Sequence, residues 1–265
     1  MMRRELLHIW GPFSIYSYGL AIAIGLLIFT YLCLKNKTIQ RIISAEHFIE
    51  TVGLSLMVGI SGARILYLLN SWHHVENFSE IFAVWSGGLS VLGGIIAILL
   101  IIPWYLRYIK VPVLPLLDVA ALNAPLLHAI SRFGCFMAGC CYGKPSVIFC
   151  AITYTDPGSE APLHIPLHPT QLYTALLLFV TFIIFQFIYK KITTQGLMLM
   201  FYLLAEGIIR FSMDYVRDDI EYFKWDTSHI FSAHQWISII MVSIGLVGIV
   251  ILRYTRKKPH TNTYI

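Results

Sequence analysis

The segment SRFGCFMAGCCYGKPS, residues 131–146, closes an apolar run with Arg132, three cysteines and three glycines. Two further arginines, Arg64 and Arg210, also lie inside apolar stretches. A guanidinium at the centre of a membrane helix costs about 2.5–3.5 kcal/mol on translocon-based scales, so each needs a partner or a function. Taken singly, each could snorkel to a headgroup layer. Three at one depth on three helices suggest instead an anion cradle, and the obvious anion at that depth is a phospholipid phosphate. Guanidinium suits it because it stays charged and grips phosphate with paired N–H donors.

Their neighbours extend the pattern. Glu206, Arg210, Asp214 and Arg217 are spaced by 4, 4 and 3 residues and form one stripe of a helix; Asp118, Pro125, His128 and Arg132, at intervals of 7, 3 and 4, form another. A polar stripe on a membrane helix looks inward. Asp118 and Glu206 read as interhelical structural partners, Asp118 for a cation, whereas Arg132 and Arg210 read as the chemical elements. Gly87, Gly88, Gly93 and Gly94 in SGGLSVLGG, with Gly59, Ser61 and Gly62 preceding Arg64, either pack helices closely or line a headgroup cavity. Cys135, Cys140 and Cys141, with Cys150 downstream, have the spacing C-x4-C-C, which matches no usual zinc pattern. They are expected to pack as small apolar groups or to form a disulfide, ahead of metal binding and of catalysis. No metal and no cofactor is expected.

The elements that must position these residues follow from composition. The chain has 265 residues, 57% hydrophobic and 12% charged, with a mean hydropathy of +0.72. That excludes an ordinary soluble domain. The expected fold class is an all-α polytopic membrane protein. A span needs about 20 mostly apolar residues, and seven stretches qualify, at approximately 17–34, 46–70, 81–106, 113–133, 170–189, 196–216 and 235–252. One integral-membrane domain is expected over residues 1–265, with a small extracytoplasmic arm over 134–169, where VIFCAITY and TDPGS read as a strand and a turn. The start MMRRELLHIW is not followed by a short apolar region and cleavage site, so the first span is expected to be retained. Eleven of the 19 lysines and arginines fall on one set of connections and five on the other. The positive-inside rule therefore places the N-terminus outside, the C-terminus in the cytoplasm, and Arg64, Arg132 and Arg210 near the outer ends of their spans. A nucleic-acid partner is not expected. A lipid or solute transporter is a rival reading, supported by intramembrane charge and glycine-interrupted helices. So is a thiol-redox membrane enzyme using Cys135, Cys140 and Cys141.

The ordered series IYSYGL, GARILYLL, GGLSVLGG, SRFGCFMAGCCYG, HPTQLY and EGIIRFSMDYVRDD resembles the prolipoprotein diacylglyceryl transferase family over nearly the whole chain. The resemblance implies an enzyme of the bacterial cytoplasmic (inner) membrane, surrounded by membrane lipids. It would move the diacylglyceryl group of phosphatidylglycerol onto the cysteine thiol of a prolipoprotein signal peptide and release glycerol 1-phosphate. Arg132 and Arg210 fall on family positions and are expected to clamp the phosphate as leaving-group charge develops. Tyr18, Arg64, His168, Gln171, Tyr173 and Arg217 also fall on family positions; with Asp214 and the glycines Gly87, Gly88, Gly93 and Gly94, all but His168 are expected to bind substrate. The chain departs from the family in two places: Leu92 stands where a histidine is often found, and Cys135 and Cys140 stand in place of asparagine and acidic residues. His168 is the expected proton acceptor, because an imidazole titrates near neutrality.

Overall fold

The computed structural model describes residues 5–10, 13–71, 81, 88–218, 220 and 230–257. Gly87 and nearly all of the connections SWHHVENFSE and DDIEYFKWDTSH lie outside the described residues. In chain order there is a strand pair, β1 (Glu5–Trp10) and β2 (Phe13–Tyr16), then helices α1 (Ser17–Lys35), α2 (Lys37–Ile42), α3 (Ala45–Asn70), α4 (Val91–Tyr108) and α5 (Val113–Ala138). A second strand pair, β3 (Ile152–Thr153) and β4 (Pro166–Leu167), leads to α6 (Thr170–Tyr189), α7 (Leu197–Asp214) and α8 (Ala233–Lys257).

Five helices, α1, α3, α5, α6 and α8, are long and apolar enough to cross a membrane, which makes the chain a polytopic, predominantly helical membrane protein. Seven spans were expected, and two elements fall short for physical reasons. The third expected span begins at 81, but Gly88 takes the left-handed φ of +69° and the helix starts only at Val91. The sixth, α7, is 18 residues long and carries Glu206, Arg210 and Asp214, a charge load that an autonomous span does not bear. The fourth expected span ends at 133, whereas α5 continues to Ala138 and makes Cys135 helical.

Two compact units make up the chain, one of residues 1–9, 14–33 and 117–265, the other of 10–13 and 34–116. In the first, Ala121, Leu122, Phe185 and Met198 form a buried cluster that joins α5, α6 and α7, with Tyr202 and Ala205 packed against it. A Cβ at Gly134 would stand 2.8 Å from Ala21 Cβ and 2.9 Å from Tyr18 Cα, so this glycine lets α5 approach α1. Among the described residues Asp118 has no cationic partner of the kind expected; its carboxylate accepts from the backbone N–H groups of Gly196 at 2.6 Å and Leu199 at 2.9 Å. These are orphan donors of the first turn of α7, where the helix dipole also favours an anion. At the start of α8, Gln235 N–H donates to Ser232 Oγ and Ser232 N–H to Gln235 Oε1, both at 3.0 Å, which is a capping box.

After α5 the chain turns at Gly139 (φ +75°) and Cys141 (φ +60°). The strand and turn expected next are present in shortened form. Ile152 pairs with Leu167 and Thr153 with Pro166, antiparallel, over a small core of Tyr154, Ala161 and Leu167. Asp156 Oδ1 accepts from Gly158 N–H at 2.9 Å and closes the turn.

In the second unit, Ser44 Oγ caps α3 by accepting from His47 N–H. The seam between α3 and α4 is glycine on both sides: a Cβ at Gly62 would meet Gly93 O at 2.7 Å, and one at Gly94 would meet Gly59 O at 2.9 Å. Of the two readings of these glycines, close helix packing is the one this seam displays for Gly93 and Gly94. The outward face of α4 is apolar, with Leu100 71% and Trp104 69% exposed. Trp104 stacks on Tyr108 one turn later, at 6.4 Å between ring centroids, beside Arg107. That is the aromatic and basic pattern of a membrane–water interface.

Candidate active site

Three segments of the first unit meet at the end of α5. The first is the cysteine loop that follows the helix, the second the N-terminal turn of α6, and the third the C-terminal end of α7 with the residues after it. Backbone bridges tie the loop on both sides. Gly143 N–H donates to His168 O at 3.1 Å and His168 N–H to Lys144 O at 3.0 Å, while Lys144 N–H donates to Val216 O at 2.9 Å. Side chains of α6 hold the loop from below. Gln171 Nε2 donates to Cys140 O at 2.7 Å and Thr170 Oγ1 to Cys141 O at 2.7 Å, and both residues are fully buried. Tyr154 completes the support, since its hydroxyl accepts from Gln171 at 3.2 Å and donates to Phe136 O at 3.2 Å. Burial pushes its phenol up to about 12, against the Gln171 hydrogen bond that favours the anion.

The polar stripes of α5 and α7 meet here as the spacing predicts. His128 Nδ1 lies 3.0 Å from Glu206 Oε1, and Arg210 Nη2 lies 3.6 Å from Asp214 Oδ1. Asp214 is itself buried and accepts a short hydrogen bond from the Ser232 hydroxyl. Arg132 and Arg217 both stand within electrostatic range of Arg210. At this end of the stripes Arg132, Arg210 and Arg217 stand against Glu206 and Asp214, while the third carboxylate, Asp118, is taken up at the first turn of α7, so the guanidinium groups here outnumber the carboxylates. Among the described residues, Arg132 Nε is buried without a hydrogen-bond partner, as are Glu206 Oε2 and Gln171 Oε1. A buried guanidinium donor without an acceptor in a positively charged recess is suited to an incoming anion.

The three cysteines are free, and their Sγ atoms all lie within 4.8 Å of one another. Cys150 stands apart, with its Sγ 3.4 Å from the Tyr173 hydroxyl. Cys141 is lowered from the ordinary thiol range because Cys135 and Cys140 hydrogen-bond to it and because Arg217 and Arg132 favour its anion. Cys140 is raised, its proton engaged by Cys135 and Cys141.

Of the residues singled out from sequence, Arg132, Arg210, Asp214 and Arg217 converge here, with Gln171 beneath the loop. Tyr18 joins them, within electrostatic range of Arg132 and of all three thiols. His168 and Tyr173 form an adjoining pair, their rings edge to face at 6.2 Å and the imidazole Nδ1 3.4 Å from the hydroxyl. Arg64 belongs to the second unit, where its Nε donates to Ile81 O at 3.2 Å, its Nη1 to Gly88 O at 3.0 Å, and its guanidinium lies over the Tyr67 ring. Leu92 of the same unit is half-exposed.

Sequence reasoning missed the convergence of the thiols, the Tyr154 and Thr170 supports, and the tie from Ser232 to Asp214. The last had a signal: Ser232 and Gln235, three apart before an apolar run, are a capping-box pattern. The cysteine cluster had none, because it depends on a left-handed Cys141 and on hydrogen bonds from residues about 30 positions later.

A multi-pass helical membrane protein with an arginine-rich recess capped by a cysteine loop is the class that fold and site define. The family model for prolipoprotein diacylglyceryl transferase matches residues 4–251, and the chain belongs to that family. It is 32% identical over 262 residues to the phosphatidylglycerol–prolipoprotein diacylglyceryl transferase of Streptococcus agalactiae serotype Ia, covering 96% of both chains. It is 27% identical to the protein of that name from Clostridium tetani, over 97% of this chain and 100% of the relative. With the corresponding protein of Dehalococcoides mccartyi the identity is 26%, over 96% and 95%.

Proposed function

We propose that this chain transfers the diacylglyceryl group of phosphatidylglycerol to the cysteine thiol of a prolipoprotein signal peptide. The observation that carries the reading, in a member of this family, is the buried Arg132 Nε, without an acceptor among the described residues, beside Arg210 and Arg217. In the reaction the thiolate attacks the glycerol C3 carbon, the C–O bond to phosphate breaks, and glycerol 1-phosphate departs with the bonding pair. Arg132 and Arg210 hold the phosphate, Arg217 supports them, and a preorganised guanidinium stabilises leaving-group charge without reorganisation. Tyr18 and Tyr173 line the substrate site, Gln171 supports the loop that covers it, and Asp214 orients Arg210; Arg64, Gly87 and Gly88 are further candidates for binding lipid. His168, hydrogen-bonded to Tyr173 at the entrance to α6, accepts the proton released from the thiol.

The protein is a single membrane-embedded domain with seven crossings, α4 and α7 included. Its N-terminus is outside, its C-terminus is in the cytoplasm, and residues 134–169 form an arm over the outer end. The membrane is the bacterial cytoplasmic membrane, where both substrates reside. A lipobox peptide incubated with purified protein and phosphatidylglycerol should gain the mass of a diacylglyceryl group. Formation of a peptide disulfide instead would select the thiol-redox reading, and absence of any peptide product would remove the transferase.

A further inference from the structure

The cysteine trio has no part in the phosphate chemistry, yet its geometry is among the most constrained in the molecule. Cys135 sits on the last turns of α5, one helical turn beyond Arg132 and on the same face. Cys140 and Cys141 are brought back to it by the turn at Gly139 and by a left-handed backbone at Cys141, a conformation that a non-glycine residue adopts at a cost. The carbonyls of both are held by the fully buried Gln171 and Thr170. Three sulfur atoms within 4.8 Å of one another are near the separation of about 3.8 Å that three thiolates adopt around zinc, with Zn–S of about 2.3 Å.

We propose that Cys135, Cys140 and Cys141 bind one zinc ion and leave its fourth position open for the thiol of the peptide substrate. Among the described residues no fourth His, Cys, Asp or Glu joins the three, and three protein ligands with an open site are the arrangement of catalytic zinc, whereas structural sites are closed by a fourth. Thiolate ligands select a soft or borderline ion, and zinc adds no redox chemistry. Three thiolates and a divalent ion carry one net negative charge, and Arg132 and Arg217, both within electrostatic range of Cys141, face it. A thiol that coordinates zinc gives up its proton outright, which supplies the nucleophile that the transfer requires. The balance is simple. The peptide S–H loses its proton to His168, sulfur binds zinc, and its electron pair then forms the S–C bond to glycerol C3 while the C–O bond to phosphate breaks. Zinc and the three cysteines end unchanged. The nucleophile and the phosphate are then presented from neighbouring turns of one helix.

This inference rests on the transferase reading, and the experiment separates the two. Protein purified in detergent should carry one zinc per chain by elemental analysis. Cys135→Ser, Cys140→Ser and Cys141→Ser should each lower that content, while Cys33→Ser and Cys150→Ser should not. Cobalt substitution should give sulfur-to-cobalt charge-transfer absorption that changes when a lipobox peptide is added, and stays unchanged with the peptide whose cysteine is replaced by serine. Chelation of the wild-type protein should lower transfer by about a hundredfold, the size of a lost proton-transfer function, and zinc should restore it. Full transfer by metal-free protein, a disulfide within the trio of the active protein, or a cobalt spectrum indifferent to the peptide thiol would overturn the zinc proposal and leave the transferase standing. A cobalt spectrum that responds to the thiol without any lipid transfer would overturn the transferase reading and keep the metal site.

Discussion

Arg132 and Arg210 differ in their surroundings, and the difference predicts how they respond to change. Arg210 already has Asp214 at 3.6 Å, so lysine in its place keeps an ion pair but loses the planar fork. Arg132 has a donor with no acceptor among the described residues, and in the proposed mechanism the substrate supplies one. Arg132→Lys and Arg210→Lys should each lower transfer by about tenfold to a hundredfold, the value of a charge-assisted hydrogen bond of about 1.5–3 kcal/mol, while the protein still inserts. Turnover near wild type in both variants would remove the bidentate clamp. His168→Gln retains a hydrogen-bonding side chain at Tyr173 but cannot accept a proton usefully. Transfer should drop near neutral pH and recover in part as rising pH ionises the peptide thiol unaided; a rate unchanged across that range would take His168 out of the mechanism. That Arg132 and Arg210 share a recess was legible in the sequence because charge in an apolar helix is costly and must face inward; Arg64, expected with them, lies in the second unit, and Arg217 stands near them. The Gly134 contact was not legible, since the same residue between Phe133 and Cys135 reads equally as a hinge or as a place where another backbone comes near.

Among the elements, α6 coincides with its expected bounds, Thr170–Tyr189, because an unbroken apolar run between Pro169 and Lys190 leaves little choice of ends. Helix α4 begins ten residues later than expected, and the reason lies in backbone conformation at Gly88, to which hydropathy is blind. Helix α7 depends on a neighbour. Its first turn is satisfied by Asp118 of α5, and Asp118→Ala would strand the N–H groups of Gly196 and Leu199. The variant should lose about 1–3 kcal/mol of stability, measured as a lower midpoint of thermal unfolding in detergent. A midpoint equal to wild type would show that other groups satisfy the turn. The sequence marked Asp118 as a structural partner and misjudged its kind, because periodicity reports which residues share a face but not what the opposing element presents. Its counterpart could be a cation or a helix end.

For the whole molecule, the charge distribution predicts that the loop at Lys190 and Lys191 is cytoplasmic and that the turn at Asp156 is external. Single cysteines placed there, in a background lacking other reactive thiols, can be probed in intact cells with an impermeant maleimide. Reaction at 156 and protection at 190 are expected, and the reverse would overturn the orientation and the location of the arm. The attachment of α7 to Asp118 also bears on how the protein is made. As the sixth crossing we propose, α7 leaves the ribosome after five others and meets the lipid with Glu206, Arg210 and Asp214 among its 18 residues. Its carboxylates are matched by His128 on α5, which precedes it, and by Ser232, which is synthesised afterwards. Each of its three charged residues weakens the partitioning of α7 into the bilayer on its own, and contacts from α5 and α8 offset that cost, so the polar recess of the finished enzyme also ties the settling of its sixth crossing to the helices made before and after it.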